Sequence, residues 1–96
     1  MRFIWTEPAV RDLVSARRHI ALENPVAANA QIQMVMLATA QLVHFPRMGR
    51  EGRWPGTREL VVQKTPYIVA YQIQDDTISI LRVLHGRQLW PDPVTD

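Results

Sequence analysis

Four basic side chains in the second half of the chain are the residues whose types and spacing could support chemistry. Arg58 opens one strand-like run, while Arg82, His85 and Arg87 close another. Hairpin spacing between the runs predicts that all four lie near one end of a small sheet. An arginine binds phosphate or carboxylate groups through two parallel hydrogen bonds, and a histidine can exchange a proton near neutral pH. The pattern indicates a partner that carries phosphates or acidic side chains.

Arg82 is the most informative of the four, because its charge interrupts an apolar alternation. A two-residue period places it on one face of its strand, together with Ile78, Ile80 and Leu84. A guanidinium among apolar groups requires a partner, and we favour a functional role for it. Arg58 could instead form a surface pair with Glu59. His85 could act as a general acid or base, although a single histidine is more often structural.

The connection ahead of the strands, residues 45–57, is rich in turn formers and in arginine. It contains three of the four glycines of the chain and two prolines, a composition typical of a loop. Arg47, Arg50 and Arg53, beside Trp54, could hold a nucleic-acid backbone with an aromatic ring for stacking. We favour a solvated loop with Trp54 packed into the core.

No pattern of metal or cofactor binding is visible in the sequence. The chain lacks cysteine, and its three histidines are His19, His44 and His85, which fall in different predicted elements. That distribution matches no ligand spacing of a zinc site. There is also no phosphate-binding loop, nucleophile motif or catalytic pair of carboxylates. We therefore predict neither a metal nor a cofactor.

Length and composition predict a single domain that spans residues 1–96, with 47% hydrophobic residues to form a core. The formal charge is +2, and residues 47–90 carry seven basic against four acidic side chains. No uninterrupted apolar stretch of about 18 residues is present, so we expect no membrane span. The early charges at the N-terminus are not typical of a secretory signal. We expect a cytoplasmic protein, in keeping with the lack of cysteine.

The order of the predicted elements is strand, helix, helix and three further strands. Thr6 is a suitable N-cap for the first helix, which should end at Asn24-Pro25, and the same pair should begin the second helix, ending near His44. Strands are predicted over residues 58–64, 67–74 and 77–84. The fold class is therefore α+β, with an N-terminal strand and a helical hairpin packed on a C-terminal three-stranded antiparallel sheet (β-α-α-β-β-β).

The second helix is more apolar than one packed face requires. Met34 to Ala38 are five consecutive apolar residues, which cannot all point to one sheet. The structural interpretation is a helix buried on two sides. The functional interpretation is a surface that receives a partner protein, with methionines as adaptable contacts.

Six short motifs follow one another along nearly the whole chain. They are WTxxA from Trp5, NPxAA from Asn24, PxxGR from Pro46, GTREL from Gly56, PYIVxY from Pro66 and RVLHGRQxWP from Arg82. Each motif alone is weak, but the set is specific. In this set the chain resembles toxins of the RelE/ParE superfamily, the toxic half of bacterial type II toxin–antitoxin modules.

The resemblance implies a fold and a partner. Family members have a helical hairpin on an antiparallel sheet, which agrees with the predicted elements. Each is paired with a small DNA-binding antitoxin, whose C-terminal segment wraps the toxin in a hetero-oligomer. We expect that segment as a helix in a groove or a strand added to an edge. Our candidate antitoxin contacts are Met34, Leu37 and Leu42.

The superfamily holds two biochemistries. RelE-like members cut mRNA on the ribosome; here Arg58 and Arg82 would hold the scissile phosphate, and His85 would be the acid or base. RelE-type sites typically add lysines or a late tyrosine, whereas this chain has only Lys64 and no tyrosine after Tyr71. The one available glutamate base, Glu51, lies in the loop.

ParE-like members lack that catalytic set and instead poison DNA gyrase, and the ending RVLHGRQLWP resembles theirs. We favour gyrase inhibition without enzymatic activity, with no catalytic residue. The candidate target contacts are Arg50, Arg58, Arg82, His85, Arg87 and Trp90. A further alternative is a non-toxic relic that only binds its antitoxin.

Overall fold

Two helices lie on one face of a five-stranded mixed sheet in the computed structural model, which describes residues 1–91. The elements are β1 (Arg2–Trp5), α1 (Glu7–Glu23), α2 (Pro25–Ala40), a 3₁₀ turn (Gln41–Val43), β2 (Arg50–Glu51), β3 (Arg58–Val61), β4 (Tyr67–Gln74) and β5 (Thr77–His85). The order across the sheet is β1-β5-β4-β3-β2, with β1 parallel to β5 and the other pairs antiparallel. The predicted α+β fold is confirmed.

The sheet is larger than the three strands predicted from the sequence. β1 joins it as a parallel edge strand, and the two-residue β2 forms inside the loop that was predicted to be irregular. β3 ends at Val61 rather than at Lys64, because the chain turns there and Lys64 adopts a left-handed backbone with φ of 66°. A strand as short as β2 carries no periodic pattern, so sequence alone does not reveal it.

Both predicted helix starts are confirmed by their caps. The Thr6 hydroxyl accepts a hydrogen bond from the Ala9 backbone N–H at 3.4 Å, and the Asn24 side chain accepts one from the Ala27 backbone N–H at 3.1 Å. The Thr6 hydroxyl also lies 2.8 Å from the carbonyl oxygen of Ile80, to which it donates. Thr6 therefore begins α1 and attaches that beginning to β5, where β1 has ended.

An irregularity in β5 divides the apolar side chains between two cores. Ile80 pairs with Tyr71 and Arg82 pairs with Ala70, so Leu81 is an extra residue without a partner in the register. One inserted residue reverses the alternation of faces. Ile80, before the extra residue, and Val83, after it, both belong to the core beneath the helices. Leu84 instead joins a second cluster on the opposite face. Arg82 therefore shares a face with Leu84 but not with Ile78 and Ile80, and the predicted common face of all four is wrong.

Candidate functional site

Arg58 and His85, predicted to lie in one cluster, are opposite β4 positions that are four residues apart, while Arg82 is opposite a β4 residue next to the partner of Arg58. In the strand register Arg58 is opposite Tyr71, whereas His85 is opposite Tyr67. The two positions are separated by four residues of β4, or about 13 Å at the usual rise of a strand. The prediction of a single cluster is therefore wrong. β3 and β5 are both antiparallel to β4, so they run in the same direction. The start of β3 and the end of β5 therefore lie at different positions along β4, whereas the prediction placed them together.

Arg58 holds the loop that precedes the sheet. Its Nη1 atom donates to the carbonyl oxygen of Gly49 at 2.7 Å and to that of Arg47 at 3.3 Å. The Tyr71 hydroxyl completes this anchor, because it donates to the Pro46 carbonyl at 2.7 Å and accepts from the Gly49 N–H at 2.9 Å. A Cβ atom on Gly49 would lie 2.7 Å from that hydroxyl oxygen, so a side chain would displace it.

The ionisation state of Tyr71 suits this anchoring role. Its side chain is fully buried, and burial raises the pKa of the hydroxyl, although the Gly49 N–H and the Arg58 charge oppose the rise. The hydroxyl therefore stays protonated at neutral pH and keeps the hydrogen that it donates to Pro46. The geometry of residues 46–49 is fixed by one phenol and one guanidinium.

Glu59 is an almost fully buried acid, with 3% of its surface exposed, held between two arginines. Arg50 Nη2 lies 3.1 Å from Oε1, while the backbone N–H and Nε of Arg53 donate to Oε2 at 2.8 and 3.0 Å. Burial alone would raise the pKa of Glu59, but the hydrogen bonds from Arg53 and Arg50 outweigh it and lower that pKa. Glu59 pairs with these two residues and not with Arg58, contrary to the surface pair considered from the sequence.

Two tryptophans and one arginine stack on the sheet face opposite the helices. The Arg53 guanidinium carbon lies 3.5 Å from the centre of the Trp90 ring, and that ring lies 5.2 Å from the ring of Trp54. Trp54 is buried, as predicted. The arginines of the loop are, however, partly ordered by Glu59 rather than simply solvated. Trp90, predicted as a target contact, is partly buried and closes this second cluster.

Arg82 has the partner that its position required, and the partner belongs to the same chain. Its Nε and Nη2 atoms donate to the two carboxylate oxygens of Asp12 on α1 at 2.7 and 3.0 Å. The same carboxylate accepts the backbone N–H of Val83 at 2.9 Å. Both charged side chains are about 85% buried. Sequence reasoning missed Asp12 because it lies 70 residues away and looks like an ordinary residue on the polar side of a helix.

His85 lies beside a small polar cleft between α1 and the end of β5. Its Nδ1 atom accepts the Arg87 backbone N–H at 3.1 Å, and its ring meets Tyr67 edge-on with 5.8 Å between ring centres. The cleft, about 310 Å³, is also lined by His19 and Ser15. Arg87 is exposed. Within residues 1–91, no three histidine or acidic side chains lie close enough to hold a metal ion.

An apolar groove of about 700 Å³ runs between α2 and β3, and we call it the helix–strand groove. Met34 and Leu37 line it, and Leu37 is 67% exposed. Leu42 is fully buried in the main core, so its prediction as a surface contact is wrong. β2 pairs only with the first two residues of β3, which leaves the edge beyond them unpaired by any strand in the described part of the chain.

The second helix is buried on one side and exposed on another, and a partner on its exposed side remains a prediction. Val35 is fully buried, while Met36 and Leu37 remain exposed. By length and composition alone, the segment Pro25–Val43 is apolar enough to cross a membrane, but here it packs against α1 and the sheet.

Comparisons with known proteins agree on one family. The model of the family described as "ParE toxin of type II toxin-antitoxin system, parDE" matches residues 3–90. The putative toxin Y4kP of Sinorhizobium fredii is 39% identical over 90 residues, covering 94% of this chain and 93% of the relative. In Caulobacter vibrioides, toxin RelE2 is 33% identical, covering 90% of this chain and 96% of the relative. Toxin ParE3 of the same organism is 35% identical, covering 90% of this chain and 87% of the relative.

Two solved structures share the fold. The chromosomal ParDE toxin–antitoxin system of P. aeruginosa superposes with a TM-score of 0.80 and 27% identity, covering 88% of this chain and 95% of the other. The toxin–antitoxin complex RelBE2 of Mycobacterium tuberculosis superposes with a TM-score of 0.57 and 28% identity, covering 88% of each chain.

The first prediction concerns the buried ion pair. Arg82→Ala should lower the free energy of unfolding by about 3–5 kcal/mol, because it leaves the Asp12 carboxylate buried without its counter-charge. Urea denaturation of Arg82→Ala, Asp12→Ala and the double variant measures this. The double variant should lose less than the sum of the single losses. A stable Arg82→Ala protein, or strictly additive losses, would contradict the assignment.

The second prediction concerns pH. Because the pKa of Glu59 is lowered on folding, its contribution to stability is complete above the unfolded glutamate pKa of about 4.3 and is lost as the pH falls through the lower folded value. Glu59→Gln should cost about 1–3 kcal/mol at neutral pH and flatten the acid side of the stability profile. Thermal unfolding between neutral and acidic pH tests this, with the exposed Glu23→Gln as control. Parallel profiles for wild type and Glu59→Gln would contradict it.

Proposed function

This chain belongs to the ParE toxin family of type II toxin–antitoxin systems, within the RelE/ParE superfamily, and from this membership we propose that it arrests growth by poisoning DNA gyrase. The alternative for the superfamily is cleavage of mRNA on the ribosome. The observation that carries our choice is the dispersal of the basic residues that a ribonuclease site would need.

A phosphodiester is cleaved by groups that meet at one phosphorus atom. Cations must surround the phosphate, while an acid and a base reach its two oxygens within hydrogen-bond distance. Here Arg58 and His85 are opposite β4 positions that are four residues, or about 13 Å, apart along the strand. The guanidinium of Arg58 is bound to the Gly49 carbonyl, so this arrangement does not gather the two side chains around one phosphate.

The third member of that set, Arg82, is held by an internal partner. Its guanidinium donates to both oxygens of the Asp12 carboxylate, which balances the charge that a scissile phosphate would otherwise meet. The closer superposition on the ParDE structure supports the same choice. In our proposal the chain acts by binding and not by catalysis, in the cytoplasm where gyrase works.

The helix–strand groove supports an antitoxin as the second partner. The groove offers exposed Leu37 and the open edge of β3, so an extended antitoxin segment can add a strand there and insert apolar side chains. Arg50, Glu59 and Lys64 also line the groove and give it an excess of one positive charge, which favours acidic residues on that segment. The two solved relatives are a ParDE toxin–antitoxin system and a RelBE2 toxin–antitoxin complex, which supports a hetero-oligomer here.

The third prediction tests the target. Purified, antitoxin-free protein should inhibit supercoiling by DNA gyrase and accumulate cleaved DNA. His85→Gln should inhibit to within about twofold of wild type, because a binding role does not use the proton-transfer chemistry of an imidazole. Supercoiling assays and ribosome-dependent mRNA cleavage assays are run on the same preparations.

Three outcomes separate the alternatives. Gyrase inhibition by both proteins supports our proposal. Wild-type cleavage of mRNA that His85→Gln abolishes would overturn it in favour of a ribonuclease. A folded protein that binds antitoxin but has neither activity would instead be the non-toxic relic.

The fourth prediction tests the groove. Leu37→Glu should weaken antitoxin binding by on the order of tenfold or more, because a charge replaces an apolar contact and repels an acidic segment. Gyrase inhibition should be retained. Leu22→Glu is the matched control, since Leu22 is even more exposed, at 84%, but does not line the groove. Isothermal titration with the cognate antitoxin measures both variants, and equal losses would contradict the location.

A further inference from the structure

The net charge of the protein is concentrated in one short segment. Residues 47–59 hold four arginines and two glutamates, a formal charge of +2, which equals that of the whole chain. Two of the arginines, Arg50 and Arg53, share the buried carboxylate of Glu59 on one side of β3. The other two, Arg47 and Arg58, line a different cleft.

Arg58 is a positioned cation that forms no ion pair within residues 1–91, although Glu51 is opposite it in the register of β2 and β3. Its hydrogen bonds within residues 1–91 run from Nη1 to the backbone carbonyls of Gly49 and Arg47. Carbonyl oxygens are dipoles and cancel no formal charge. The Nε and Nη2 atoms, which form the other edge of the fork, make no hydrogen bond to the described residues. Through this edge an arginine can donate two parallel hydrogen bonds to a phosphate.

The anchor also lowers the entropic cost of binding. A long arginine side chain loses rotamer freedom when a ligand fixes it, at about 0.5–1.5 kcal/mol for such side chains. Here Arg58 is already fixed by the 46–49 backbone, which the buried Tyr71 hydroxyl holds in turn. The free edge of the fork is therefore preorganised.

The cleft that Arg58 lines can admit a phosphate group. It encloses about 360 Å³, and its other lining residues are Arg47, Glu51, Gly56, Thr57 and Ile73. Arg47 is exposed and its side chain makes no described hydrogen bond or ion pair, so it can turn toward an anion. Glu51 is also exposed and would oppose one. Two positive charges and one negative charge leave the cleft with an excess of +1.

We propose that Arg58 and Arg47 bind a phosphate of the DNA backbone in the cleft at the end of β3. The contact is independent of base sequence, because phosphate contacts position a protein on a duplex without reading it. The choice of DNA rests on the proposed function, since gyrase presents a bound duplex to any inhibitor. In that setting the site holds the toxin against the DNA that gyrase has engaged.

The site is tested without gyrase, by fluorescence anisotropy of a labelled duplex of about 20 base pairs titrated with toxin at increasing salt. Arg47→Ala should weaken binding and reduce the slope of log K against log salt by about one, because each phosphate contact releases about one counterion. Arg58→Lys should weaken binding at every salt concentration while leaving the slope unchanged, since lysine keeps the charge but loses the fork.

Two further variants make the test specific. Glu51→Gln should tighten binding severalfold, because it removes the opposing charge from the cleft. Arg18→Ala is the matched control: Arg18 is exposed on α1, makes no described hydrogen bond or ion pair, and its loss changes net charge as Arg47→Ala does. It should leave the salt slope unchanged. Circular dichroism melting confirms that each variant is folded.

Several outcomes would overturn the site. These are absence of duplex binding by wild type, equal losses in Arg18→Ala and Arg47→Ala, weaker binding by Glu51→Gln, or tighter binding of single-stranded RNA of the same length. If wild type inhibits gyrase but fails these tests, the phosphate site is wrong and the proposed function stands. If wild type passes them but leaves gyrase active, the site stands and the proposed function is wrong.

Discussion

The carboxylate of Asp12 is the contact on which the arrangement of helices and sheet depends. It lies at the edge of β5 just past the point where β1 ends, and there it receives both the Arg82 guanidinium and the Val83 backbone N–H. An edge strand with unpaired backbone donors needs a partner, and α1 supplies it in the form of a charged side chain. Thr6, six residues earlier, supplies the hydroxyl that donates to the Ile80 carbonyl. The helical hairpin is therefore attached to the sheet by polar contacts at this edge as well as by the apolar core.

The same principle explains why most of the arginines in residues 1–91 do not converge on one site. Most of the arginines that sequence reasoning singled out in the strands or the loop before them are held, each at its own place. Arg82 pairs with Asp12, Arg50 and Arg53 share Glu59, and Arg58 binds backbone carbonyls. Glu59, a buried acid paired with two arginines, orders the loop that carries them. What is left for a partner is the edge of the Arg58 fork, an apolar groove and an open strand, which suit binding better than proton transfer.

Local signals in the sequence were sufficient for most of the fold. Thr6 and Asn24-Pro25 predict the starts of both helices, because a cap acts on backbone groups within three residues. The alternation of residues 67–74 predicted the bounds of β4 that the structure shows. The extra residue in β5 was not predictable, because a bulge leaves the composition of a strand unchanged. It alone reversed the face on which Leu84 lies. The pairings of Asp12 and Glu59 were missed because they join residues that are distant in sequence, or side chains whose burial only the tertiary structure reveals.

The parallel pairing of β1 with β5 joins the first strand of the chain to the last. During synthesis the helical hairpin can form early from local contacts, but β1 has no neighbour until β5 has been made. Contacts across so long a separation form late, since the loop that they close carries the largest entropic cost. The growing chain therefore cannot complete its sheet until β5 has been made.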